Sequence, residues 1–72
     1  MNENITKVLH ELSKETTKTG VLMRMNEILR GLHLDMEAEN NLHRLASIYV
    51  SCSDTLIACS VAIEAMELEV KQ

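Results

Sequence analysis

The stretch Leu56-Ile-Ala-Cys-Ser-Val-Ala-Ile63 decides how this chain is read. Its length and lack of Gly or Pro read as helix, yet it offers apolar or small residues on every side. A helix at the surface of a globular protein keeps one polar face, so more than one side of this segment needs cover. Leu56, Cys59 and Ile63 fall into a longer register. Ala38, Leu42, Leu45, Tyr49, Cys52, Leu56, Cys59, Ile63, Met66 and Val70 follow one another in steps of four and three, the spacing of a coiled-coil-like seam. Ile57 and Val61 lie outside it, and Val50 and Leu68 extend their side into a second apolar stripe. The spacing predicts a long helix over 36–71, about 50 Å from end to end. Asp35 is its expected N-cap, with Glu37 and Glu39 in the first turn, where the helix dipole favours acids.

Toward the N-terminus, Ile5, Val8, Leu9 and Leu12 share one helical face behind Asn2 or Asn4 as N-cap, which predicts a short helix over 3–16. The next apolar set, Leu22, Met25, Leu29 and Leu32, has rotated by more than half a turn, and Glu15–Gly20 carries three threonines and a glycine. A break between Thr16 and Gly20 is expected, with Thr19 capping a second helix over 20–32. Two turns compete for the next reversal. Gly31 as a helix terminator places it at Gly31–Asp35, while the polar Glu39–Asn41 is the alternative; the terminator role of glycine favours the first. With no proline, two glycines and one aromatic, Tyr49, the chain reads as a single all-α domain, 1–72. Its expected architecture is an antiparallel helical hairpin, the first two helices end to end forming one arm and the long helix the other.

A chain of 72 residues buries only about 60% of its unfolded surface, so the core is marginal. The second stripe, Val50, Ile57, Val61 and Leu68, would lie in water on a lone hairpin. Assembly as a homodimer or higher helical bundle is therefore expected. No uninterrupted apolar run reaches the ~20 residues of a membrane helix, and Glu3 and Lys7 occupy the place of a signal peptide's apolar segment. These features predict a cytoplasmic protein without a membrane partner. The net charge of −4 argues against nucleic acid as a ligand. Five basic and four acidic residues lie in 1–33, against two and seven in 34–72.

Catalytic chemistry has little to stand on. Cys52 and Cys59, seven apart on one helix, sit about 10 Å from each other by helix rise, too far for a disulfide. No Cys-x-x-Cys or His pair suggests a metal, and no phosphate loop or nucleophile elbow occurs, so neither cofactor nor enzymatic activity is expected. Arg24, Arg30, Tyr49, Ser51 and Ser53 are the one set suited to an anionic ligand, with Arg forks for phosphate and Tyr49 for stacking. Met23 and Met25 point to nearly opposite sides, one for the core and one free. The leading functional expectation is a small regulator that binds another protein, as inhibitor, antirepressor, adaptor or chaperone. Its oligomer or partner interface is expected at Leu42, Leu45, Tyr49, Val50, Cys52, Leu56, Ile57, Cys59, Val61, Ile63, Met66 and Leu68. A nucleotide-sequestering oligomer is the alternative, and a DNA-binding helical regulator the third reading.

Overall fold

The structure, a computed structural model, describes residues 2–71 and the side chains of 2–69; Val70 of the expected seam lies outside the described side chains. The described secondary structure is all-helical: α1 (Glu3–Leu12), α2 (Lys18–Ala38) and α3 (Leu42–Lys71).

Each helix start is written in local side-chain chemistry. The Asn2 side chain accepts from the Ile5 N–H at 2.8 Å and caps α1. Thr17, one turn before the expected Gly20 start, accepts from the Gly20 N–H at 2.9 Å and caps α2. Thr19 is thus inside α2 rather than its cap. The expected extent of α1 to residue 16 is corrected as well. The helix ends at Leu12, where Ser13 turns its hydroxyl back to the His10 carbonyl at 2.8 Å.

The principal correction concerns the reversal before α3. It falls at Glu39–Asn41, and α2 runs straight through Gly31 and Asp35 to Ala38. Gly31 has no positive φ, so the left-handed termination that favours glycine is not used. A mid-helix glycine costs only about 1 kcal/mol, and the cap that is made belongs to Asn41 rather than Asp35. Its side-chain oxygen accepts from the His43 and Arg44 N–H groups at 3.0 and 3.1 Å, and Glu39 Oε1 accepts from the Asn41 N–H at 3.1 Å. Asp35 and Glu37 therefore stand near the end of α2, Ala38 closes it, Glu39 is its C-cap, and α3 is 30 residues long, about 45 Å.

Both α1 and α2 pack on α3 and scarcely touch each other. Lys18 pairs with Glu67 at 2.9 Å, while Asp35 and Ala38 lie beside Arg44, Ser47 and Ile48, so α2 runs antiparallel to α3 over most of its length. At the start of α1, Asn2 and Asn4 reach Asp54, and Leu9, His10 and Ser13 lie along Val61–Glu69, so α1 runs parallel to the C-terminal half of α3. The two N-terminal helices are thus not end to end. They flank α3, and the Arg24–Glu11 pair at 3.6 Å joins them.

The flanking arrangement selects a different side of α3 from the expected seam. The core consists of Ile5, Leu12, Val21, Ala58, Cys59 and Ala62, with Val8, Leu9, Met25, Ile28, Ile63 and Met66 packed against it. On α3 the covered register is Leu45, Ile48, Cys52, Thr55, Cys59, Ala62 and Met66. The residues at 45, 52, 59 and 66 coincide with the expected seam, and Ile63 of that seam packs against the core as well; 48, 55 and 62 are covered where 49 and 56 are not. Small side chains explain the choice. Thr55, Ala58 and Ala62 are 1%, 0% and 6% exposed and let two helices approach one backbone, while Tyr49 and Leu56 turn outward. Burial of Thr55 leaves no hydroxyl stranded, since it donates to the Ser51 carbonyl at 2.8 Å.

Asp54, 6% exposed, accepts from Asn4 Nδ2 at 2.9 Å and Asn2 Nδ2 at 3.4 Å, at the N-terminal end of α1 where the helix dipole favours negative charge. Asp54→Ala removes both bonds and is expected to cost about 1–3 kcal/mol, read as a lowered denaturant midpoint. An unchanged midpoint would contradict the latch. At Gly31 an added Cβ meets nothing within 4 Å. Gly31→Ala is therefore expected to stabilise by about 0.5–1 kcal/mol, measured as a rise in Tm; a fall would return the turn to 31–35.

Candidate interaction surface

At about 100° per residue, α3 hides one broad arc beneath α1 and α2 and keeps the rest free. Ala46, Ser53, Ser60 and Glu64 run down the middle of the free arc, all exposed. One flank carries Leu42, Tyr49 and Leu56; the other carries Val50, Ile57 and Leu68. These six large apolar side chains are 49–80% exposed. The flank at 50, 57 and 68 was legible as a surplus stripe, whereas Leu42, Tyr49 and Leu56 join it against the expectation that the opposing arm covers them. Of the remaining expected interface residues, Leu45, Cys52, Val61, Ile63 and Met66 are half-buried and Cys59 is buried. Of the two methionines, Met25 packs on the core and Met23 is exposed.

The residues read as an anion site are not gathered on one chain. Arg24 pairs with Glu27 at 2.8 Å and Glu11 at 3.6 Å, and Arg30 is exposed beside Met23, Asn26 and Glu27. Ser51, two residues from both Tyr49 and Ser53, points to nearly the opposite side of α3; its carbonyl takes the Thr55 hydroxyl. Glu27 foremost, then Glu11, raises the Arg24 guanidinium above its ordinary range. Glu11 is held below the usual carboxylate range, first by its hydrogen bond and charge attraction to Lys14 and then by Arg24. With a lowered folded pKa, its contribution is present above the ordinary carboxylate range and lost as pH falls through the lowered value; solvent screening at the surface keeps it small.

An open groove of about 480 Å³ lies between α1 and α3, floored by Leu9, Val61, Ala62, Ala65 and Met66, with His10 and Glu69 among its polar walls. Among the described residues, no three His, Cys, Asp or Glu side chains converge as a metal site. By length and composition Leu42–Glu69 is apolar enough to cross a membrane. Polar residues interrupt the span, so no uninterrupted apolar run marks it in the sequence. Asp54, midway along this span, is held by Asn2 and Asn4.

Compared with protein-family models, curated proteins and solved structures, the chain matches none.

The two cysteines differ in reach. Both are free; Cys52 is half-buried, and burial pushes the Cys59 thiol up from its ordinary value while leaving it 4% exposed. Thiolate is the reactive form, so a maleimide is expected to label Cys52 well before Cys59, with Cys59 reacting at the rate of unfolding. Peptide mass mapping of the first adduct checks this; equal rates would contradict the packing around Cys59.

Proposed function

We propose that this chain is a small helical regulator that binds another protein stoichiometrically, in the manner of an inhibitor, antirepressor, adaptor or chaperone. On this reading it works in the cytoplasm as a homodimer or higher helical bundle built on the hairpin of α2 and α3. The observation carrying the reading is the free face of α3, where Leu42, Tyr49, Val50, Leu56, Ile57 and Leu68 are about half exposed or more. Contiguous apolar surface of this kind marks sites of association. Two free thiols suit a reducing compartment. The nucleotide-sequestering reading stands second, because Arg24 would first have to leave Glu27 and Glu11. Direct DNA binding stands third on the acidic balance.

Sedimentation at micromolar concentration is expected to give at least twice the 8.1 kDa chain mass, and Ile57→Glu to dissociate or unfold the assembly. A folded wild-type monomer would overturn the self-assembly. Recovery of the tagged chain from its host without a protein in fixed proportion would overturn the regulatory role.

A further inference from the structure

We propose that the free face of α3 binds a second copy of this chain in antiparallel two-fold fashion, with the axis near Ile57. The proposal rests on the self-assembly just described and adds its face and direction.

The surface area sets the scale. A monomeric protein of this mass exposes about 4,500 Å², whereas this chain exposes 5364 Å². The excess, about 900 Å², is close to the ~800 Å² that one partner contributes to a standard stable interface. Its shape says the same. The Cα radius of gyration is 13.4 Å and the extents are 48 × 23 × 13 Å, against about 11 Å for the radius of a compact domain of this length. A layer this thin becomes compact when a second layer lies on it.

The free arc of α3 locates the contact. Ala46, Ser53 and Ser60 recur every seven residues along its middle, between flanks led by Tyr49 and Leu56 on one side and Val50 and Ile57 on the other. Small residues between larger flanks let two helices approach closely. Ile57 lies at the midpoint of α3, so an axis there overlaps the two helices over nearly their whole length. It sets Leu68 level with the partner's Ala46, large against small.

Charge chooses the direction. Residues 42–53 carry His43 and Arg44 and no acid, while 64–71 carry Glu64, Glu67 and Glu69 with one base. Of these charges Glu64 lies on the middle of the free arc, while Arg44 lies beside α2 and Glu69 beside α1; parallel pairing sets Glu64 beside its own copy, whereas antiparallel pairing about Ile57 sets it level with the partner's Val50. Like charges in register are a penalty that specific pairings avoid.

The test uses single cysteines in a Cys52→Ala, Cys59→Ala chain, oxidised with copper phenanthroline. Ile57→Cys is expected to form a disulfide-linked dimer in high yield. Ala46→Cys alone is expected to remain unlinked, but to cross-link when mixed with Leu68→Cys. Self-linking of Ala46→Cys as efficiently as Ile57→Cys would overturn the direction. A protein that sediments as a dimer without any of these links would overturn the face and leave self-assembly standing; a monomer would overturn both.

Discussion

Two helices can share a third along one side only where the third is narrow, and α3 is narrow at Thr55, Ala58 and Ala62. Around these positions Leu12 of α1 and Val21 of α2 reach complete burial in one core cluster. The arrangement follows from this constraint. Because α3 is contacted from two flanks, the molecule spreads into a layer instead of closing into a bundle. Because the layer has α3 at its centre, the longest and most apolar helix is also the one left with a broad face uncovered. The economy of a 72-residue chain explains why this matters: apolar side chains withheld from the core are a large fraction of those it has.

The direction of α1 depends on a polar contact inside this apolar setting. Asn2 serves two masters, its side-chain oxygen closing the first turn of α1 and its amide reaching Asp54. Helix capping and docking are thereby coupled, and Asn4 reinforces the second function from the same end. A carboxyl within α3 is costly unless it is partnered, so α1 is held parallel to α3 by the group that most needs it there.

Much of this was readable in the sequence, though unevenly. The helical class, an α1 cap at Asn2 or Asn4 and the surplus stripe follow from periodicity and local chemistry, although Val61 of that stripe is half-buried in the groove beside α1. Half the α3 register, at 45, 52, 59 and 66, is visible for the same reason. The rest is not, because apolarity favours Tyr49 and Leu56, whereas close approach favours Thr55 and Ala62. A threonine can be buried when its hydroxyl is satisfied within its own helix, and apolar periodicity alone does not record that. Gly31 reads as a terminator, but the stronger signal lies in the three local bonds of Glu39 and Asn41. The Asp54 contact spans some fifty residues of sequence, so no local pattern announced it.

The contrast between those two kinds of bond also sets an order of events in folding. The reversal at Glu39–Asn41 is made by groups two or three residues apart, so α2 and α3 meet at little loop-closure cost. Docking α1 requires Asn2 and Asn4 to find Asp54 across a long intervening chain, and its ten residues are too few to hold a helix in isolation. The two longer helices are therefore expected to pair first, with α1 the last piece to arrive and the first to leave.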